Sequence, residues 1–193
     1  MMVFSGCNFP ETDAFTQNIE LPENAATVLS DYSIAPEFIT FYTSLSNPTL
    51  LIGKPISIPF IDTDTNQLMQ YFQKARLELI EDESENKTVT LTPLGAYFGQ
   101  QPVGQAVIIE SECKLFPETE HPICGEFLNY YEQNALESLF GKPLSNIYRS
   151  DQEYIQIFEN AMLIWNPNAP DPYQVTVANL GEIYLKSIEP LYH

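Results

Sequence analysis

Apolar positions along this chain fall into short runs of two periods, one helical and one extended. Phe38, Phe41, Tyr42 and Leu45 stand at i, i+3, i+4 and i+7, one face of an amphipathic helix, and Pro36 and Glu37 suit its first turn. Gly53-Lys54-Pro55 then breaks the pattern, because glycine supplies an unusual backbone angle and proline pushes the residue before it out of the helical region. Tyr71, Ala75, Leu77 and Leu79 alternate with polar neighbours, the period of a half-buried strand, and Gln73-Lys74 stand where a tight turn would fold the stretch into a hairpin. Val89 and Leu91 predict a short last strand ending at Leu94-Gly95.

The same signals return in the same order. Phe127, Tyr130 and Tyr131 repeat the helical spacing, with Asn134 predicting an end one turn earlier, and Gly141-Lys142-Pro143 repeats the corner. Ile157, Ala161, Leu163 and Trp165 repeat the alternation around Glu159-Asn160, and Val175 and Val177 repeat the last strand. The stretches FITFY and FLNYY, GKPIS and GKPLS, QYFQKARLEL and QIFENAMLIW, VTLTPLGAYF and VTVANLGEIY match in order, and the last two pairs keep their spacing. CNFPET from Cys7 and CKLFPET from Cys113 precede the two runs. The expectation is an α+β fold of two tandem, pseudo-symmetric units, each a short helix followed by a small antiparallel hairpin and meander. Unit one covers residues 38–98 and unit two 127–193; residues 8–37 form an N-terminal segment with an insertion, and 99–126 a linker with a cysteine loop. One such unit buries its apolar faces poorly alone, and a second copy supplies the partner.

Composition narrows the function. With 44% hydrophobic residues in 193, the chain can bury a real core, and 18% charged residues are too few for a disordered acidic tail. Eight Lys and Arg against 26 Asp and Glu give a formal charge of −18, a field that repels phosphate backbones, so nucleic acid is not an expected partner. A solvated acidic surface is the plain reading of that charge. No apolar run reaches the ~18 residues of a membrane span, and the stretch before Cys7 is too short for the hydrophobic region of a signal peptide.

Three cysteines are an odd count. Cys113 and Cys124 bracket a Pro-containing loop that a disulfide could close, contributing roughly 3 kcal/mol in the loop-entropy model. Three reduced cysteines in a cytosolic protein are the alternative. VFSGC, at residues 3–7, resembles the end of a bacterial lipobox, which implies that Cys7 is lipidated and that residues 1–7 are the remnant of a lipoprotein signal whose start lies upstream. The membrane would then be met through that anchor alone.

Catalytic signatures are missing. His121 sits in the cysteine loop and His193 at the end, neither a setting that orients an imidazole for a triad. No phosphate loop, Cys-x-x-Cys pair or His-Glu-x-x-His helix occurs, so neither cofactor nor metal is expected. DTDTN at residues 62–66 alternates oxygen ligands but lacks the glycine and closing glutamate of a calcium loop, and reads as a polar turn. A glycosidase carboxylate pair depends on a separation in space and stays open. The remaining lead is a concentration of rings and a cation: Tyr148, Arg149, Tyr154, Trp165 and Tyr173, with Trp165 foremost because it ends the strand and precedes a Pro-rich loop. Packing at the core or its rim is the plain alternative for these rings.

The run FPETEHPICGEFLNYYEQNALESLFGKPLS, followed by QIFENAMLIWNP, resembles a repeat of extracytoplasmic proteins from filamentous green nonsulfur bacteria and their relatives. That repeat joins a Phe-Pro-Glu-Thr-Gly-His segment, a Gly-x-Phe helix, a Phe-Gly-x-Pro-Ile-Ser corner and a Gln-Tyr-Phe-x-x-Ala-Arg strand. The likeness covers most of residues 113–185 and, through QYFQKARLEL, residues 38–98. More distantly the chain is similar to the LGFP repeat of bacterial cell-wall proteins, in whose hairpin and aromatic strand Phe158, Asn160 and Trp165 have corresponding places. Departures are Lys54 and Lys142 at a corner position usually aromatic, Ala75 and Ala161 for the hairpin glycine, and Glu120 for the glycine of Phe-Pro-Glu-Thr-Gly-His. The resemblance implies an extracytoplasmic, cell-surface protein associated with envelope polymer, and no catalytic residue.

The expectation is therefore a non-enzymatic, surface-anchored repeat protein that binds cell-envelope polysaccharide or a partner surface protein. A carboxylate-dependent glycan or peptidoglycan hydrolase and a purely structural spacer are the alternatives.

Overall fold

Helix α1 (Pro36–Ser44) forms where the apolar stripe places it, with proline in the first turn and Phe38 fully buried beneath. The computed structural model describes residues 32–99 and 104–188; Cys7 and His193 lie outside them. A short helix α2 (Pro48–Leu51) follows, its Asn47 cap accepting from the Leu50 N–H. At the corner Gly53 has φ 84° and Gly141 has φ 72°, the left-handed angles the sequence reserved for glycine.

Strands β1 (Phe60–Ile61), β2 (Leu68–Tyr71), β3 (Arg76–Glu81) and β4 (Lys87–Leu91) then build an antiparallel sheet in that order. The hairpin turn falls at Gln73-Lys74, where the Phe72 N–H donates to Ala75 O (2.8 Å). Helix α3 (Leu94–Phe98) comes next. Leu94-Gly95, read from sequence as the end of a strand, is instead the start of this helix.

The segment 99–126 carries strands β5 (Gln105–Ala106), β6 (Cys113–Phe116) and β7 (His121–Cys124), and buries Phe116 and Ile123 in the core. Helix α4 (Gly125–Gln133) follows, nine residues long like α1. Asn134 does not shorten it: the Asn134 side chain donates to Tyr130 O (2.9 Å) and finishes the last turn. Then come α5 (Glu137–Phe140), β8 (Tyr148–Ser150), β9 (Glu153–Ile157), β10 (Met162–Trp165), β11 (Val175–Val177) and α6 (Leu180–Ile188). The second sheet has the order β11-β10-β9-β8-β5, with Phe158 N–H donating to Ala161 O (2.8 Å) in its hairpin turn. The described chain is thus mixed α+β, with six helices and antiparallel sheets.

One buried cluster runs through both halves, including Phe38, Phe72 and Leu77 from the first and Phe127, Phe158 and Leu163 from the second. Tyrosines brace the corners against the hairpins. Tyr42 stacks on Phe72 and donates to Gly53 O (2.9 Å); Tyr131 stacks on Phe158 and donates to Gly141 O (2.8 Å). Buried glutamines tie the corner to the sheet. Gln70 Nε2 donates to Ser57 O (3.0 Å) and Ser33 O (2.8 Å), and Gln156 Nε2 to Ser145 O (3.1 Å) and Pro122 O (2.7 Å).

The halves close one another through their last helices. Helix α3 rests on the second hairpin turn, Ala96 N–H donating to Glu159 O (2.9 Å), and α6 rests on the first, Glu182 N–H donating to Gln73 O (3.0 Å). The approach is so close that a Cβ on Gly95 would land on Phe158 O and 2.6 Å from Ala161 O; one on Gly181 would land on Phe72 O and 2.6 Å from Ala75 O.

Cys113 and Cys124 stand opposite each other on β6 and β7 and form a disulfide. The turn between these strands holds Glu120 at φ 59°, an angle that costs an ordinary L-residue about 1–2 kcal/mol. Among the described residues no helix is long and apolar enough to cross a membrane.

Gly95→Ala and Gly181→Ala are each expected to lower stability by about 2–3 kcal/mol, because a methyl driven against backbone has no rotamer to escape into; urea unfolding measures it. Glu120→Gly is expected to raise stability by about 1 kcal/mol by releasing the left-handed backbone, read as a higher unfolding midpoint with unchanged slope.

Candidate functional site

The pairing register assembles part of the aromatic group into one row. Gln105 faces Arg149, Arg149 faces Tyr154, Tyr154 faces Trp165 and Trp165 faces Val175 across four neighbouring strand pairs. Directly opposed residues share a face of the sheet, so Arg149, Tyr154 and Trp165 lie side by side. The Tyr154 and Trp165 ring centroids are 4.7 Å apart, and the Arg149 guanidinium lies 5.9 Å from the Tyr154 ring centre. Behind them Trp165 meets Phe127 of α4 edge-to-face at 6.4 Å.

Two of the five residues fall elsewhere. Tyr148 faces Ala106 and Ile155, in the next row along, so the strand's alternation turns its side chain to the opposite face from Arg149. Tyr173 stands exposed in the loop between β10 and β11. Sequence proximity grouped them, and the period of two separates Tyr148 from its neighbour.

The row mixes exposed and spent groups. Tyr154 and Trp165 are half-buried rings packed on the core, while Arg149 is exposed and gives its Nε to Asp151 O (3.2 Å). The Trp165 indole N–H and the Gln156 side-chain oxygen are both buried and have no hydrogen-bond partner. Gln156 faces Leu163, the row beside Tyr154 and Trp165 on the same face. The flip of Gln156 is fixed, because its nitrogen already donates to two carbonyls. In the first half the corresponding oxygen, on Gln70, accepts from the Ala35 N–H (2.9 Å).

A second group, unread in the sequence, forms where α6 crosses the first sheet. The Arg76 guanidinium lies 5.6 Å from the centre of Tyr71 and 5.3 Å from that of Tyr184. It donates to Thr92 Oγ1 (2.7 Å) and Glu78 Oε1 (3.0 Å), and Thr92 in turn donates to Glu78. Tyr97 and Phe98 of α3 pack edge-on against Tyr184. The Tyr97-Phe98 doublet was visible in the sequence, but without helices α3 and α6 nothing joined it to Arg76.

Two aspartates are committed to turns. Asp62 accepts from the N–H groups of Asp64 and Thr65, and the Thr65 backbone bond holds its carboxyl below the usual range. This is the polar turn read from DTDTN. Asp82 caps the β3–β4 turn through Ser84 and Asn86 in the same way. Among the described residues no three His, Cys, Asp or Glu gather as metal ligands. His121 Nδ1 lies 3.4 Å from Asn146 Oδ1. A hollow of about 490 Å³ beside Tyr131 and Glu137 and one of about 410 Å³ between Val107 and Pro122 both lie off the aromatic row.

Lys74, in the first hairpin turn, points its ammonium to Val177 O (2.6 Å) in the second half, and burial lowers its pKa from 10.5 to about 8. No protein-family model matches the sequence, and no curated protein matches it.

Because the folded chain releases this proton near pH 8 and the unfolded chain near 10.5, the unfolded state holds more protons between those values, and stability rises with pH across that window. Below pH 8 both states are protonated and the contribution is constant. Relative to Lys74→Met, the wild type is expected to gain at most about 3 kcal/mol over the window. Urea unfolding of both proteins at a series of pH values checks it; parallel curves would overturn the assignment.

Proposed function

We propose that the chain is a non-enzymatic, extracytoplasmic surface protein made of two copies of one unit related by approximate two-fold symmetry, and that it binds cell-envelope polysaccharide through the Arg149–Tyr154–Trp165 row. The observation that carries the binding reading is that row itself, two half-buried rings 4.7 Å apart flanked by an exposed guanidinium. Flat rings offer an apolar face to the C–H side of a sugar, and a few polar groups beside them fix its orientation. Arg149 is one of only eight basic residues against 26 acidic ones, so a cation here is a local departure from the surface as a whole.

What supports the duplication is the recurrence of hydrogen bonds at corresponding residues: the hairpin turns at Phe72 and Phe158, the corner bonds of Tyr42 and Tyr131, and the exchanged helices at Ala96 and Glu182. The disulfide between Cys113 and Cys124 supports a compartment outside the reducing cytosol. Lipidation at Cys7 belongs to the same proposal. Against a hydrolase stand the committed carboxylates: Asp62 and Asp82 cap turns and Glu78 pairs with Arg76.

Trp165 is the chain's single tryptophan, so its emission reports on the row directly. Titration with solubilised envelope polysaccharide of the host is expected to shift that emission and to saturate. Arg149→Ala should weaken the apparent affinity about tenfold, the scale of one lost charge-assisted contact, while Tyr148→Ala on the other face should leave it unchanged. Flat emission, with no retention of the wild type on insoluble cell wall, would sink the reading.

A further inference from the structure

The two sheets differ at one edge. In the second sheet the outer side of β8 is covered by β5, with Gln105 opposite Arg149 and Ala106 opposite Tyr148, and Val107 N–H donates to Ile147 O (2.9 Å). Val107 and Ile109, further along the same segment, pack against the buried cluster. In the first sheet β1 stands beside β2 as β8 stands beside β9: Phe60 faces Met69 and Ile61 faces Leu68, while Tyr148 faces Ile155 and Arg149 faces Tyr154. Among the described residues β1 ends its sheet.

That edge is equipped for pairing. Asp62 N–H donates to Gln67 O (2.9 Å), and the alternation of an antiparallel ladder then turns the N–H and C=O of Ile61 away from β2. Pro59 stands where the second sheet has Ile147, a position whose carbonyl is the group β5 uses, and a proline keeps its carbonyl. Ile58 is 68% and Ile61 55% exposed, an apolar pair on an edge that carries no lysine and is shielded only by its two-residue length and by Pro59.

We propose that the outer edge of β1 is a docking site for an extended apolar segment of a partner polypeptide, which adds to the first sheet antiparallel to β1 as β5 adds to β8. The partner's main chain meets Ile61 N–H and C=O and Pro59 C=O, and its apolar side chains cover Ile58 and Ile61. Its chemistry follows β5, uncharged with small and branched apolar residues. An acidic segment is disfavoured by Asp62 and Asp64 beside the edge and by the charge of −18. This surface is separate from the Arg149–Trp165 row, so it stands or falls independently of glycan binding.

The probe is a capped peptide Gly-Gln-Ala-Val-Ile-Ile, the chain's own residues 104–109, added to isotope-labelled full-length protein and followed by amide chemical shifts. A concentration of about 1 mM suits an untethered short strand. The expected result is saturating shifts at Ile58, Phe60, Ile61 and Asp62 and at Leu68 and Met69, with a scrambled peptide giving none. Ile61→Pro removes the outward N–H at an edge position that tolerates proline and should abolish those shifts; if that variant fails to fold, Ile61→Lys serves. No shifts, shifts equal with the scrambled peptide, or shifts only at Ile147 and Arg149, where the peptide would merely exchange with β5, overturn the proposal.

Discussion

Everything above the hairpins rests on two places where a helix start touches a turn with no side chain between them. A two-residue turn leaves carbonyls facing outward, and Gln73 O and Glu159 O each find their donor in the other half of the chain. The contact requires glycine at 95 and 181, because any Cβ there would occupy the space of the opposing backbone. Once seated, α6 carries Tyr184 over Arg76, and α3 brings Tyr97 and Phe98 against the same ring. Lys74, next to one of these carbonyls, reaches Val177 and adds a third tie between the halves.

The halves differ most where polar groups are buried. In the first, Gln70 has its oxygen paired with Ala35 and the outer face of the sheet carries the Arg76–Glu78–Thr92 network. In the second, Met162, Ile164 and Ala178 stand at the matching sequence positions, while on the inner face the Gln156 oxygen and the Trp165 indole remain unpaired. An unpaired buried donor or acceptor costs on the order of 1–3 kcal/mol. One half of the fold therefore satisfies its polar groups internally, and the other keeps them beside the aromatic row to which we assign glycan binding.

Local signals in the sequence carried the local elements. The stripe from Phe38 to Leu45, the glycine corners, the doublets Gln73-Lys74 and Glu159-Asn160 and the cysteine pair each state a short-range preference, and each stands where it was read. The ends of the two halves were not legible. Leu94-Gly95 and Leu180-Gly181 are helix starts whose glycines make sense only against a turn far away in the chain, Phe158 and Phe72 respectively. For the same reason Arg76 and Tyr184 gave no sign of meeting. The aromatic row was half legible: Tyr154 and Trp165 meet because hairpin register pairs them, whereas Tyr148 is turned away by an alternation that a count of nearby rings ignores.

The crossed helices also set an order of events during synthesis. The first hairpin turn, complete once residue 75 has left the ribosome, is covered by a helix that begins far later in the chain, at Leu180. The second hairpin, by contrast, finds α3 already waiting. Until α6 emerges, the nascent first half lacks the N–H that Gln73 O accepts from, so the two halves close together rather than one at a time.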